Sequence, residues 1–337
     1  NADPSVTTWT ADEPAAAIGA SEQRFQTLAD VVLTLGTVLE TPETHAAHTS
    51  RPSEAMLAKM GDPADLPESF DARDAWANCS IIGKVGSQSA CGDCWAWSAT
   101  QAYESVRCIA GKGPDEQLSR QDMAECCSGV ACGYSKSCTA GTPRAALGWI
   151  AHDDGIVTGG MYNSSEGCKP YSLAPCSVET KAQDPSNPLP TCHEPKPPPS
   201  LTCRSSCTNA AFNGTYADAK VGGHDEDLAI VGLYYRDDNQ THMMNFIKTY
   251  GPISVAFAVC EDFPTYKTGV YVRSKGAKVL GGHAVTAVGW GVEDGIKYWL
   301  VKNSWSDYWG EAGFFKIRRG TNECGIEGQA VGVGWKN

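Results

Sequence analysis

Fifteen cysteines in 337 residues constrain this chain more than any other feature. Most lie between Cys79 and Cys207, far more than a reduced cytosolic protein keeps, so an oxidising compartment is expected. A zinc protein is the competing account, but the cysteines do not recur in tetrads at zinc-ligand spacing. Asn-x-Ser/Thr triplets at Asn78, Asn163, Asn213 and Asn239 are compatible with a secretory route and glycosylation, although Cys79 stands inside the first.

An apolar fraction of 42% with 20% charged residues excludes disorder and coiled coil as global descriptions, and the length suits one large domain or two of moderate size. The net charge of −12 argues against nucleic acid as a partner, since such partners are held by basic surfaces. The acid is unevenly placed: residues 1–65 carry three basic and ten acidic side chains, and residues 66–337 carry 24 and 29. No apolar run approaches the roughly 20 residues of a membrane span, so no membrane insertion is expected. No basic, hydrophobic signal segment opens the chain, which suggests that one has been removed.

Residues 1–65 read as a separate arm. From Ser21 the apolar positions Phe25, Leu28, Val32 and Leu35 step by three and four, predicting one amphipathic helix that Gly36 ends. Thr37 to Leu39 then continues as an extended run, and Pro42 to Asp65, with Pro52, Gly61 and Pro63, reads as an extended strap. A helix is expected from Cys94, half buried through Trp95, Ala99, Ala102, Val106 and Ile109. Others are expected near Ser119–Cys126 and Arg144–Ala151. Nine prolines and five cysteines between Cys168 and Cys207 leave little room for regular elements. The C-terminal part reads as short strands, at Ile253–Val259, His283–Trp290, Tyr298–Val301 and Phe314–Ile317.

Three segments carry the chemistry: Gln88-Ser89-Ala90-Cys91-Gly92-Asp93-Cys94-Trp95, Gly281-Gly282-His283-Ala284 and Lys302-Asn303-Ser304-Trp305. A thiol at a helix N-terminus beside an imidazole can rest as a thiolate, because the helix field and the imidazolium both favour the anion. In this order the segments resemble papain-like cysteine peptidases, specifically the cathepsin B-like type in proenzyme form, and the similarity extends over most of the chain. The resemblance implies an α+β fold with a helical left domain, a β-barrel-like right domain and an N-terminal inhibitory propeptide. The implied boundaries are 1–65 for the propeptide and 66–337 for the mature peptidase. Within the latter, about 76–215 would be mainly helical and disulfide-rich, with an occluding-loop-like insertion at 176–192, and about 216–337 mainly strands.

By the same resemblance Cys94 is the nucleophile, His283 its base and acid, Asn303 the orienting third member, and Gln88 an oxyanion donor. Trp305 shields the His–Asn bond. Ala140, Gly141 and Gly282 line the cleft where substrate backbone approaches, and Gln329 lies at the bottom of the second specificity pocket. The implied disulfides are Cys79–Cys108, Cys91–Cys138, Cys126–Cys203, Cys127–Cys132, Cys168–Cys207 and Cys176–Cys192. Cys94, Cys260 and Cys324 stay unpaired, the last two as buried small hydrophobes. No metal or organic cofactor is implied, and the seven histidines are too dispersed to suggest a metal site.

Three departures matter. Asp93 replaces a small residue and is expected to face solvent. Ser177-Val178-Glu179 replaces the histidines that capture a substrate's C-terminal carboxylate, and Glu179 would repel it, with Lys181 or His193 the only compensating groups. Endopeptidase action with weak or absent dipeptidyl carboxypeptidase activity is therefore expected. Gln329 replaces an acid, favouring apolar or aromatic side chains over arginine two positions before the cleaved bond.

The expected partners are protein and peptide substrates, the chain's own propeptide as an intramolecular inhibitor held by Trp9, Phe25 and Leu28, and cystatin-like inhibitors. Acidification would release the arm by protonating its carboxylates. A lysosome, an equivalent acidic vacuole or secretion is the implied location. A catalytically silent binding protein on the same fold and a peptide ligase using the same acyl-enzyme are the alternatives.

Overall fold

The structure, a computed structural model, describes residues 9–11, 28–179, 183–193, 201–233 and 239–336. Its centre is a helix, Cys94–Ile109, in which every residue from Cys94 to Val106 is buried. The sequence pattern suggested a half-buried helix, yet its polar residues Ser98, Gln101 and Glu104 do not face solvent. They are instead buried and bonded inward. Ser98 Oγ donates to the Val285 carbonyl at 2.6 Å, Gln101 Oε1 accepts from Thr286 at 2.9 Å, and Glu104 accepts the Leu118 amide at 3.0 Å while pairing with Arg120. Hydrogen bonding offsets the desolvation of these groups, so sheet and helices can cover the helix on all sides.

The strands, in chain order, are β1 (Trp9–Ala11), β2 (Phe70–Asp71), β3 (Ile156–Val157), β4 (Lys220–Val221), β5 (Leu228–Gly232), β6 (Ile253–Cys260), β7 (Tyr266–Tyr271), β8 (Val279–Glu293), β9 (Ile296–Lys302), β10 (Phe314–Arg318) and β11 (Val331–Trp335). Nine of them form one sheet in the order β1-β7-β10-β9-β8-β6-β11-β5, with β2 paired to β8, while β3 and β4 pair separately. Among the described residues this path does not close on itself, so the half expected to be barrel-like is an open sheet and not a closed barrel. β6 and β8 run antiparallel with Phe257 opposite His283. Aromatic side chains Phe257, Phe263, Trp305, Trp309 and Phe315 pack behind that pair. Sheet and helices are not segregated: Leu228, Val331, Val333 and Trp335 share one core with Trp95, Ala99 and Val106.

Ser119 caps the short helix Arg120–Cys126, and Thr142 caps Pro143–His152. One helix went unread in the sequence, Asn239–Tyr250, although Met243, Phe246, Ile247 and Tyr250 repeat at helical spacing and are buried. Among the described residues of 168–207 there is no helix or strand. The structure contains the disulfides Cys79–Cys108, Cys91–Cys138, Cys126–Cys203, Cys127–Cys132, Cys168–Cys207 and Cys176–Cys192.

The arm corrects two expectations. Its helical turn over residues 28–32 buries Val31, while Val32 is 48% exposed, so the buried face is rotated by one residue from the one the spacing suggested. The Pro42–Asp65 stretch is no extended strap. It forms helices Pro42–Ala47 and Glu54–Met60 and a 3₁₀ turn Pro63–Asp65, capped by Thr41, Ser53 and Asp62 side chains accepting backbone N–H groups. Proline breaks a helix only in its interior; at the first turn its fixed φ suits the start, and the caps precede each run. Met56 and Met60 are buried against the Asn239–Tyr250 helix, and Tyr250 donates its hydroxyl to the Met56 carbonyl at 3.3 Å. Phe25 and the expected helix start at Ser21 lie outside the described residues, as do Lys181 and the side chain of Trp9.

Candidate active site

Cys94 is the first residue of the central helix and is wholly buried. Backbone amides of Ala284, Gly36 and Trp95 face its sulfur, and Thr37 Oγ1 lies 3.0 Å from Sγ. Burial pushes the thiol pKa up, outweighing these hydrogen bonds. In this arm-covered state Cys94 is therefore a thiol.

His283 projects from β8 and is also wholly buried. One ring nitrogen, Nε2, lies 2.8 Å from Asn303 Oδ1. The same oxygen accepts the Ser304 amide at 2.8 Å, so it is the acceptor end of the side chain and Nε2 must carry the proton. That fixes the tautomer: Nδ1 presents a bare lone pair, with no hydrogen bond to any described residue. Burial pulls the imidazole pKa down to about 4 against the Asn303 bond. Trp305 stacks on the ring at 4.8 Å, and Phe257 meets it edge-on at 5.9 Å, closing the His–Asn pair from water.

Gln88 is held on three sides. Its Oε1 accepts from Ser304 Oγ at 2.6 Å, and its Nε2 donates to the Cys91 carbonyl at 2.6 Å and to the Thr34 carbonyl at 2.9 Å. Thr34 belongs to the arm, so an arm carbonyl occupies the outward donor of this amide.

The arm then runs across Cys94. Gly141 donates to the Gly36 carbonyl at 2.9 Å, Val38 to the Gly141 carbonyl at 3.0 Å and Thr37 to the Gly282 carbonyl at 3.2 Å. Thr37 pairs with Gly141 in parallel. A chain in the opposite direction would pair there antiparallel. A Cβ on Gly282 would lie 2.2 Å from the Thr37 carbonyl oxygen, and one on Gly36 would lie 1.6 Å from that of Gly92, so both close approaches require glycine. Ala140, beside Gly141, is half-buried and bonded through its carbonyl to the Lys136 amide at 2.6 Å. Further along, Gln329 Nε2 donates to the Glu40 carbonyl at 2.7 Å. Burial opposes ionisation of the Glu40 carboxyl, but bonds from His45 and Arg144 outweigh it and hold its pKa at about 2.

Two site expectations need correction. Asp93 does not face solvent; it is wholly buried, with Oδ2 2.9 Å from the Tyr171 hydroxyl, and burial pushes its carboxyl well above the usual range. Glu179 does not offer a bare negative charge. It is buried and paired with Lys267 at 2.9 Å, which also meets Asp184 at 3.3 Å. His193 is bound to Asp30 of the arm at 2.9 Å. The sequence reading missed Ser304, visible in its motif as a small polar residue, and Tyr171, which has no local signal.

Among the described residues no group of three or more His, Cys, Asp or Glu side chains is arranged to hold a metal ion. No helix among them is long and apolar enough to cross a membrane.

Comparison with known proteins adds three findings. Residues 66–333 match the papain family cysteine protease profile. Two Caenorhabditis elegans proteins, cathepsin B-like cysteine proteinases 6 and 5, are 42% and 44% identical over 279 and 270 residues; these cover 82% and 79% of this chain and 69% and 74% of theirs. Procathepsin B S9 from Trypanosoma congolense superposes with a TM-score of 0.71 at 25% identity, covering 97% of this chain and 92% of that one.

Proposed function

The chain belongs to the papain family of cysteine proteases and is a cathepsin B-like cysteine peptidase; from that premise we propose that it hydrolyses protein and peptide amide bonds through a thioester acyl-enzyme, mainly as an endopeptidase, and that residues 1–65 are an inhibitory propeptide over the mature peptidase of residues 66–337. The observation that carries this reading is the convergence of Cys94, His283–Asn303 and Gln88 beneath arm residues 34–38. Once the arm leaves, Cys94 loses its Thr37 partner and its proton passes to the bare Nδ1 of His283. The helix N-terminus stabilises the resulting thiolate.

The thiolate adds to the carbonyl carbon, and the developing oxyanion takes hydrogen bonds from Gln88 Nε2 and the Cys94 amide. Losing such a donor raises the barrier by about 3 kcal/mol. The imidazolium gives its proton to the departing amine, and His283 then activates the water that releases the acyl group. Asn303 keeps the ring in its Nε2–H tautomer, and Trp305 excludes water from that bond.

Gln329 beneath the second pocket favours apolar or aromatic side chains, since its amide has no charge to pair with arginine. Dipeptide release is weak or absent. Glu179 is not the reason, being neutralised by Lys267; the reason is that the described loop from Cys176 to Cys192 offers no histidine. A secretory route, supported by the six disulfides, belongs to the same proposal, as do glycosylation, an acidic compartment and inhibition by cystatin-like proteins. The test is covalent labelling with an electrophilic peptide after arm removal. Label on Cys94, abolished by His283→Ala, is expected; an unlabelled Cys94 in an arm-free, folded protein overturns the reading.

A further inference from the structure

Arg144 is the second residue of the helix Pro143–His152, three positions beyond Gly141, where the arm's backbone crosses the cleft. The first turn of a helix is a poor place for a cation, because the helix field there favours negative charge, and Arg144 is the only charged residue in that turn. Helix stability does not account for it. What it holds is a carboxylate: its Nη2 donates to Oε1 of the arm's Glu40 at 2.9 Å, its one ion pair among the described residues. Glu40 divides its charge, since Oε2 lies 3.2 Å from Nδ1 of His45, a second arm residue. Only one prong of the guanidinium fork is therefore filled. The Nε–H is buried and meets no acceptor among the described residues. Nε and Nη2 share one edge of a guanidinium, and that edge can receive a carboxylate with both donors at once. Arg73 makes this grip within the same chain, placing Nε at 3.0 Å and Nη2 at 2.6 Å from Asp71.

Glu40 is also the arm residue whose backbone meets Gln329, which donates Nε2 to its carbonyl at 2.7 Å. Arg144 and Gln329 thus flank a single residue, one at its side chain and the other at its backbone. The arm passes Cys94 at Thr37, so Glu40 stands three residues further along the same cleft. Glu40 and His45 both lie in residues 1–65 and leave together with the arm. Arg144 then keeps its charge and loses its partner. A half-buried guanidinium without a partner is costly, and a carboxylate entering the cleft relieves that cost.

We propose that Arg144 is a specificity-determining residue that recruits an aspartate or glutamate side chain two or three positions before the cleaved bond. Glu40 is the arm's stand-in for that side chain. The inference rests on the peptidase reading above and adds an acidic class of substrate to it. Gln329 disfavours arginine for want of a charge to pair with it, and Arg144 repels it.

The experiment starts from the full chain, trimmed by an added peptidase, so that the enzyme assayed has folded with its arm. Two pairs of peptides are compared at about pH 6, where a glutamate side chain is ionised. Each pair differs only by glutamate or glutamine, at the second or at the third position before the cleaved bond. At one of the two positions kcat/KM for glutamate should exceed that for glutamine by roughly five- to tenfold. The ratio should fall close to unity in Arg144→Gln and recover in part in Arg144→Lys. The same ratio is read as affinity, by fluorescence anisotropy of labelled peptides, in Cys94→Ala trimmed in the same way. That chain performs no catalysis, so a failure of the peptidase reading leaves this readout standing. Glutamate no better than glutamine at either position, or a preference that survives Arg144→Gln, would overturn the role of Arg144.

Discussion

The Tyr171 hydroxyl lies 2.9 Å from Asp93 Oδ2, and equally 2.9 Å from the carbonyl oxygen of Gln88. A hydroxyl has one proton, and a carbonyl can only accept it. The phenol faces both acceptors, and since burial pushes the Asp93 carboxyl well above its usual range, a protonated Asp93 can donate to Tyr171 and leave the phenol proton to Gln88. In that arrangement the carboxyl beside the reactive thiol is neutral, and it braces the Gln88 backbone through a shared phenol.

Asp93→Asn can keep both bonds, each worth about 1 kcal/mol, and should change kcat/KM of the arm-free enzyme by less than about fivefold. The infrared carbonyl band of a protonated carboxylic acid should disappear with it. The pH dependence has a definite sign: an unfolded aspartate loses its proton near pH 4, and the buried one only at higher pH. Wild type should therefore lose stability relative to Asp93→Asn as pH rises above about 4. Parallel melting temperatures from pH 4 to 7 would show Asp93 to be ionised.

Acid release of the arm should begin at His283. Its ring stays neutral under the arm, with a pKa near 4 in place of 6.5, so the covered state is fully stable above pH 6.5 and weakens as pH falls toward 4. Glu40, at about 2 in place of 4.5, contributes above pH 4.5 and loses its hold only as pH falls from there toward 2. The onset of arm loss, followed by mass against pH, is expected between about 6.5 and 4. An onset confined below pH 4 would assign control to the arm's carboxylates.

Gly36→Ala should unseat the arm without altering the enzyme it leaves behind. Overpacking typically costs about 1–3 kcal/mol, and here the new Cβ meets backbone, which yields little. Alkylation of Cys94 in the uncut variant should be at least about tenfold faster than in wild type. After arm removal the two proteins should have equal kcat and KM.

A charge at position 329 should redirect specificity. In arm-free Gln329→Glu, arginine two positions before the cleaved bond should improve about tenfold relative to leucine, the worth of one charge-assisted hydrogen bond. A substrate library measures the ratio; no change would remove residue 329 from that pocket.

An amide-capped peptide should be cut nearly as well as its free acid. His193 leaves Asp30 when the arm departs, so it is the group to watch. A strong free-acid preference that His193→Ala abolishes would establish carboxylate capture there.

The motifs around Cys94, His283 and Asn303 were legible because this chemistry needs particular residue types, and the helix from Cys94 because its apolar positions repeat. What the sequence hid was burial. The helix from Cys94 was expected to be half buried because the apolar pattern cannot reveal partners such as Val285, Thr286 and Arg120, which take Ser98, Gln101 and Glu104 into the interior. Asp93 and Glu179 misled for the same reason, since burial raises the carboxyl of the one and Lys267, far along the chain, pairs with the other. The arm's short helices were obscured by prolines whose position relative to the caps, and not their number, decides the outcome.

Near residue 66 the chain is stitched down: Phe70 and Asp71 form a rung of the large sheet, Phe70 lies flat on Trp290 at 5.0 Å, and the Trp290 indole holds the Pro67 carbonyl at 3.1 Å. Were the arm lifted off as proposed, an enzyme trimming from the amino end would meet slack backbone only up to that point. The scar left by the proposed maturation would then be set by where the fabric begins, whichever scissors are used.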